Sequence, residues 1–505
     1  MKAPAMFRRH FPIPASFSAV ALACALLAGC AVGPDYQRPD APVPKAFKEA
    51  GDAMPAWTGD WKTAEPQDTM ARPDWWRAFD DPVLDGLMSQ VQVSNQNIKA
   101  AEAVYRQATA ALAAARAGYF PTVGANAGVS RGASSSGGRI TNGQNATLSA
   151  TWEIDVWGRI RRQVESAQAG AQASEADLAS TLLSTQATLA QSYFLLRVAD
   201  AQRALLERTV ADYQRSLQLV QNQYQAGTAQ RSDVLQSETQ LKSAQAQLID
   251  IRITRAQYEH ALAVLVGKPP ADLALAVADA DVTLPRVPVA VPSTLLERRP
   301  DIAAAERRMA SANADIGVAQ AAYYPTLSLS ASGGLTASTL ARWLSLPDRV
   351  WSVGAGLAGT VFDGGLRSAA KAQAVAAYDQ TVANYRQTVL EAFQEVEDNL
   401  AAARLLDEEA QVQYDALRSA REALALVNNR YKAGTAGLLD VLTAQTAAYT
   451  AERTALSITG RQYTAAVTLI KALGGGWHGP TADGAPQATQ PAQPAPQQGA
   501  AGGAS

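Results

Sequence analysis

VQNQYQAGTAQRSDVL, residues 220–235, and VNNRYKAGTAGLLDVL, residues 427–442, are one pattern written twice, 207 positions apart. In each, a run of helix formers ends at Gly227 or Gly434, the residue that takes up left-handed backbone at no steric cost. The pattern predicts a helix, a tight turn and a second helix returning alongside the first. The two turns are Ala226-Gly227-Thr228 and Ala433-Gly434-Thr435.

Upstream of the first turn, residues 159–223 contain no proline and one glycine, Gly170, and residues 366–430 form a matching stretch. At 1.5 Å per residue each predicts a helix roughly 95 Å long. Leu206, Val210, Tyr213, Leu217, Val220 and Tyr224 recur alternately four and three residues apart, a coiled-coil seam. Leu417, Leu424, Val427 and Tyr431 stand at equivalent places in the second stretch. Shorter helices return over 229–266 and 436–472.

The repeat extends further upstream. Asn97–Glu102 aligns with Asp301–Glu306, and Gly118–Val123 with Ala322–Leu327, both at an offset of 204. One α/β/α unit is used twice. Each unit opens with a helix (87–117 and 295–321) that stops before a Tyr-aromatic-Pro triplet, where proline forbids helical continuation. Alternating segments follow, at about 120–131 and 145–157 in the first unit and 324–334 and 350–362 in the second. Val123, Ala125, Ala127 and Val129 oppose Thr122, Asn126 and Ser130; Leu148, Ala150, Trp152 and Ile154 oppose Ser149, Thr151, Glu153 and Asp155. Segments of about ten residues with period two are the signature of membrane-spanning β-strands. Tyr119, Phe120, Trp157, Tyr323, Tyr324, Trp351 and Phe362 lie at their ends, as an interfacial girdle requires. A soluble sheet with one wet face is the competing reading. Four strands cannot close a barrel and lipid tolerates no open edge, so spanning strands demand several copies. Three give twelve strands around a pore lined by the polar face, Glu153 and Asp155 included; Asp155 is alternatively a partner for Arg159.

At the N-terminus Lys2, Arg8 and Arg9 precede an apolar stretch that ends Leu27-Ala28-Gly29-Cys30. This is a secretory signal. Simple cleavage would leave Cys30 a free thiol; read as a lipoprotein signal, Cys30 is the first mature residue, carrying S-diacylglycerol and N-palmitoyl chains. Several acyl chains anchor stably, at about 0.8 kcal/mol per buried methylene. Cys24 leaves with the signal, so packing alone holds the mature chain together. The full chain has 44 basic and 46 acidic residues, and loss of the three basic residues of the signal brings the net charge from −2 to about −5, no footprint for nucleic acid. Three histidines offer little for a metal site or a nucleophile–base pair, so no metal, no cofactor beyond the lipid and no catalytic residue is expected. The chain divides into a signal (1–29), an anchor and irregular N-terminal periplasmic segment (30–86), a first unit (87–270), a linker (271–294), a second unit (295–473) and a Pro/Gln/Ala-rich tail (474–505).

The chain also carries Trp75-Trp76 with Phe79, Asp81-Pro82 and Leu84; Arg299-Pro300-Asp301-Ile302; Asp155 with Gly158-Arg159; Phe362-Asp363-Gly364-Gly365; and two Tyr-x-x-Gly-Thr turns. In this order they resemble the outer-membrane efflux protein family of TolC-like channels, specifically its lipoprotein, NodT-type branch. The resemblance implies a homotrimeric twelve-stranded barrel in the outer membrane, continued by an α-helical barrel in the periplasm. It implies passive conduction, with a periplasmic membrane-fusion adaptor and an inner-membrane pump of the resistance-nodulation-division (RND) type as partners. The adaptor would meet Gly227, Thr228, Gly434 and Thr435. Asp440 matches the first gate aspartate of the family, and Thr443 stands where related channels have a second. Asp233 is its counterpart in the first unit. Asp440 also lies in a helical first turn, where the dipole alone stabilises a carboxylate by about 0.3–1 kcal/mol. Tyr431 either braces the closed tip through its hydroxyl or packs in the seam. A duct for an ABC exporter of proteins (type I secretion) would have the same architecture; a structural envelope lipoprotein would have no use for the four strands.

Overall fold

The computed structural model describes residues 31–41, 43–44, 47–49, 74–133, 140–278, 298–337 and 349–475. Cys30, the signal and nearly all of the tail lie outside them. Seven helices and four strands are named here: α1 (Pro82–Ser94), α2 (Gln96–Ala117), β1 (Thr122–Ala133), β2 (Ile140–Ile154), α3 (Arg159–Gln225), α4 (Arg231–Leu265), α5 (Pro300–Ala321), β3 (Thr326–Ala337), β4 (Arg349–Ala358), α6 (Leu366–Lys432) and α7 (Leu438–Ala472). The repeat is metric as well as textual. The descending helices α3 and α6 each have 67 residues, about 100 Å, and the returning helices α4 and α7 each have 35.

The strands form one antiparallel sheet in the order β1-β2-β3-β4. Below the sheet the helices pack side by side in two tiers. The upper runs α2–α3–α5–α6 and the lower α4–α3–α7–α6. Only α3 and α6 belong to both. β1, α2 and α4 therefore lie on one flank of the molecule, β4 and α6 on the other.

The tiers meet at a joint the sequence does not announce. The expected single helix over 87–117 is two, because Asn95 leaves helical geometry (ψ 128°) and caps α2. Its Oδ1 accepts from the backbone N–H of Asn97 and Ile98 at 2.9 and 3.1 Å, and its Nδ2 donates to the Leu265 carbonyl, the last residue of α4, at 2.7 Å. The positive-φ turn at Gly267 presses against the Ser94 carbonyl so closely that a Cβ would sit 2.3 Å from it. Thus α2 rests on the end of α4.

The main core lies at this level. Trp75, Trp76 and Phe79 form a short 3-10 turn, and with Leu84, Met88 and Val91 of α1 they pack on Leu189, Tyr193, Phe194 and Leu196 of α3, Leu262 of α4, and Tyr463 and Val467 of α7. Phe194 stacks on Tyr463 with centroids 4.7 Å apart. Asp81 explains the Asp-Pro step: Oδ1 caps α1 through the N–H of Val83 and Leu84, Pro82 opens the helix, and Oδ2 accepts from the Tyr193 hydroxyl at 2.5 Å.

Residues 31–49, read from the sequence as an irregular tether, are docked where described. Val32 donates its N–H to the Trp157 carbonyl (3.0 Å). Arg162, 5 % exposed, donates to the carbonyls of Val32 and Gly33 and to Asp35, while Asn313 of α5 donates to the Pro34 carbonyl. Further along, Tyr36 donates to Glu306, Arg38 to the Tyr385 hydroxyl, and the N–H groups of Lys48 and Glu49 to Glu397 of α6. Phe47 is buried beside Phe393.

Candidate functional site: a two-faced sheet and a paired helical tip

The strand register sorts side chains by chemistry across the whole sheet. Thr122, Thr151, Ser330 and Gly354 stand in one row, and Gly124, Ser149, Ser332 and Ser352 in the next on the same face. The opposite face carries Val123, Ala150, Ala331 and Val353, then Ala125, Leu148, Gly333 and Trp351. These apolar groups are exposed: Val123 by 68 %, Leu148 by 60 %, Val353 by 76 % and Trp351 by 80 %. An apolar face of this extent cannot remain in water. With the hydroxyl-rich face behind it, the sheet has the alternation of a membrane barrel wall. Among the described residues no helix is long and apolar enough to cross a membrane.

The strands end where carboxylates take over as helix caps. Glu153 lies on the polar face opposite Ser328 and accepts from Arg159 at both oxygens, 2.9 and 2.6 Å. Asp155, expected on the strand and as a possible partner of Arg159, is on neither. β2 stops at Ile154 rather than near 157, and Asp155 caps α3 instead. It accepts from the N–H of Ile160 and Arg161 at 3.0 and 2.9 Å and pairs with the Arg161 side chain at 3.3 Å. Strand pairing is incompatible with this position, because the carboxylate turns forward to meet the otherwise unpaired donors of the first turn of the helix that follows. In the second unit β4 ends at Ala358, before 362, and Asp363 does the same work for α6, accepting from the N–H of Gly365 and Arg367 and from the Arg367 side chain. These contacts hold the Asp363 carboxyl below its ordinary range, the Arg367 guanidinium contributing most. Trp157 stacks on Tyr324 (4.8 Å) and donates to the Pro325 carbonyl at this junction.

At the far end the two turns are superimposable in chemistry. Gly227 (φ +75°) and Gly434 (φ +72°) hold left-handed backbone. Thr228 gives both its N–H (2.9 Å) and its hydroxyl (3.0 Å) to the Gln223 carbonyl; Thr435 does so to Arg430 at 2.9 and 3.1 Å. The Gly-Thr pair is thus a helix stop whose hydroxyl closes an open carbonyl. Asp440 is exposed in the first turn of α7 and accepts from the Gly437 N–H at 3.0 Å; Asp233 accepts likewise from Gln230 at 3.1 Å. Thr443 is exposed one turn along. The Tyr431 hydroxyl donates to Oε1 of Gln223 at 2.8 Å, joining the end of α6 to the end of α3. Gln223 is a tip residue that the sequence reading missed; only its equivalence to Arg430 in the repeat marks it.

The outer membrane efflux protein family model matches residues 87–268 and 291–475, one stretch for each repeat. The chain is similar to the probable efflux pump outer membrane protein TtgC of Pseudomonas putida, with 32% identity over 94% of this chain and 98% of that protein. It is similar to the pyoverdine export outer membrane protein OpmQ of the same species, with 34% identity over 83% of this chain and 91% of OpmQ. Among solved structures, the outer-membrane channel OprN matches at a TM-score of 0.79 and 32% identity, covering 89% of this chain and 100% of OprN.

Proposed function

Because the chain belongs to the outer membrane efflux protein family, we propose that it is the passive outer-membrane conduit of a tripartite efflux system. The observation that carries this reading is the four-stranded sheet with one apolar exposed face, one hydroxyl-lined face and two free edges, β1 and β4. The free edges of the helical tiers, α2 with α4 and α6, fall on the same two flanks. An even number of strands lets β4 of one copy meet β1 of the next antiparallel, so head-to-tail closure is possible at every level at once. Three copies give twelve strands.

In this reading the Ser, Thr and Gly face lines water, and Glu153, neutralised by Arg159, sits at the inner mouth. Cys30 carries S-diacylglycerol and N-palmitoyl chains in the outer leaflet's periplasmic partner. The adaptor meets the turns at Gly227, Thr228, Gly434 and Thr435, and an RND-type inner-membrane pump supplies the driving force. Asp440 and Tyr431 belong to the periplasmic gate. No bond is broken in the cargo. Efflux is favoured over protein secretion because the similar proteins named above are an efflux pump component and a pyoverdine exporter.

The test has two readouts. The purified protein reconstituted in planar bilayers should conduct ions and migrate as an SDS-resistant trimer; a non-conducting monomer would overturn the channel. Cross-linking in cells followed by mass spectrometry should recover a periplasmic adaptor and a proton-driven pump, whereas an ABC exporter would reassign the conduit to secretion.

A further inference from the structure

We infer that the apolar face of the sheet carries a seat for one phosphorylated glycolipid of the outer leaflet, with the phosphate on Arg349 and an acyl chain in the hollow over Gly333. This rests on the reading of the sheet as a barrel wall, and every residue it uses lies in one copy of the chain.

The four described strands hold three charged residues, Arg131, Glu153 and Arg349. Glu153 is on the hydroxyl-lined face and is matched by Arg159. The arginines are on the other face. Directly paired strand residues share a face, and Arg349 stands in a row with Leu335, Ala146 and Ala127. Arg131 is two rows further along, opposite Asn142. Both are exposed, and the described strands bring no carboxylate to their side of the sheet.

Depth decides what Arg349 meets. It shares its face with Leu357, eight residues along β4, which is about 27 Å at roughly 3.4 Å per residue. A strand tilt of about 40° reduces this to about 21 Å of depth, just inside the far margin of an apolar band about 25 Å tall. On its own apolar stem the guanidinium then reaches headgroup level. The far margin is the outer one, because the helices leave the sheet at the opposite end, through Arg159 and Leu366. The outer leaflet there is built of glycolipid whose sugars carry phosphate monoesters. A guanidinium fork matches phosphate with two parallel hydrogen bonds, which an ammonium does not.

Directly inward of Arg349 the wall is uneven. The next row is Trp351, Gly333, Leu148 and Ala125, so two large side chains stand on either side of a residue that has none. A Cβ built on Gly333 would meet nothing within 4 Å. One row deeper, Ala331 continues the hollow between Val353 and Ala150. The flanking strands β2 and β4 are two strand spacings apart, about 10 Å, room for a single acyl chain between their side chains. The hollow runs inward from the guanidinium, the direction in which acyl chains leave a phosphorylated headgroup. Arg131 has no such hollow: the row beneath it sets Val129 beside the amide of Gln144.

The experiment is native mass spectrometry of the full-length acylated protein, delipidated in detergent and titrated with diphosphoryl lipid A, with its dephosphorylated form, or with phosphatidylglycerol. Wild type should retain diphosphoryl lipid A in preference to both others. Arg349→Gln should weaken that retention about tenfold. Arg349→Lys should weaken it nearly as much, since the charge stays and the fork is lost. Gly333→Leu, whose side chain enters open space, should weaken binding of the acylated lipid severalfold and leave the deacylated phosphodisaccharide unaffected. If wild type conducts in planar bilayers but holds phosphatidylglycerol as well as lipid A, or if Arg349→Gln retains lipid A like wild type, the inference falls and the channel stands. If wild type inserts into no bilayer, the barrel wall falls and takes the seat with it.

Discussion

Asp200 and Asp407 occupy the same position in the two repeats, and each receives a donor from the returning helix: Arg255 on Asp200 at 2.6 Å, Gln462 on Asp407 at 2.8 Å. The first pair is buried. The Asp200 side chain is fully covered and also meets Arg197 at 3.4 Å, while Arg197 and Arg255 hold the carbonyls of Ala276 and Leu275. The second pair stands near solvent, and Arg404, the counterpart of Arg197, donates to the Glu49 carboxylate at 2.9 Å. Both repeats thus use one arginine position to hold a segment remote in sequence against the coiled coil.

The burial difference sets the cost of breaking each pair. Arg255→Ala leaves Asp200 with one cation in a dry site and should destabilise by about 3–5 kcal/mol. Gln462→Ala should cost about 0.5–1.5 kcal/mol. Thermal melts of the detergent-solubilised protein compare the two; equal shifts would contradict the assignment.

Tyr431→Phe removes the bond to Gln223 without changing shape. Basal single-channel conductance should rise severalfold while the oligomer on SDS gels is unchanged. Gln223→Leu should reproduce it, and a Tyr431→Phe phenotype absent from Gln223→Leu would mean that the hydroxyl acts through a partner other than Gln223.

Gly33 (φ +107°) crosses Gly317 of α5 so closely that a Cβ would lie 2.5 Å from the Gly317 Cα. Gly33→Val combines that clash with forbidden backbone and should cost about 2–4 kcal/mol. Protease should then release the N-terminal segment that wild type protects. Persistence of protection would show that the crossing is not what holds it.

Burial, and then the Asp81 carboxylate that accepts its hydroxyl, raise the Tyr193 phenol well above its ordinary value, against the opposing pull of Arg197. A raised folded-state pKa means the contribution is complete below the unfolded value near 10 and is lost as pH rises beyond it. The melting temperature should therefore fall in alkali, and Tyr193→Phe, less stable at neutral pH, should flatten part of that slope. An unchanged slope would remove Tyr193 as its source.

What the sequence disclosed was whatever repeats or alternates. Val123 against Thr122 and Leu148 against Ser149 needed only period two, and Gly227 with Gly434 needed only the repeat. Long-range docking left no such trace. Arg162 looks like one more helical arginine until the carbonyls of Val32 and Gly33, 130 and 129 residues away, arrive beside it. Asn95 lies within a helix-compatible run, and only the Leu265 carbonyl shows why the chain breaks there. Asp155 alternated correctly with Ile154, but the competing demand of a helix N-terminus prevailed over strand pairing.

The joint at Asn95 gives the body an uneven mechanical construction. Of the four helical columns, only α3 and α6 are continuous spars from the sheet to the tip; the other two are stacked from α2 on α4 and from α5 above α7. A torque applied at the turns passes upward along the spars without a break in the helix, whereas in the segmented columns it must cross the contacts of the joint, Asn95 with Leu265 and Arg299 with the Ala472 carbonyl. The load delivered to the sheet therefore enters at Arg159 and Leu366, the two points where a strand passes into a spar.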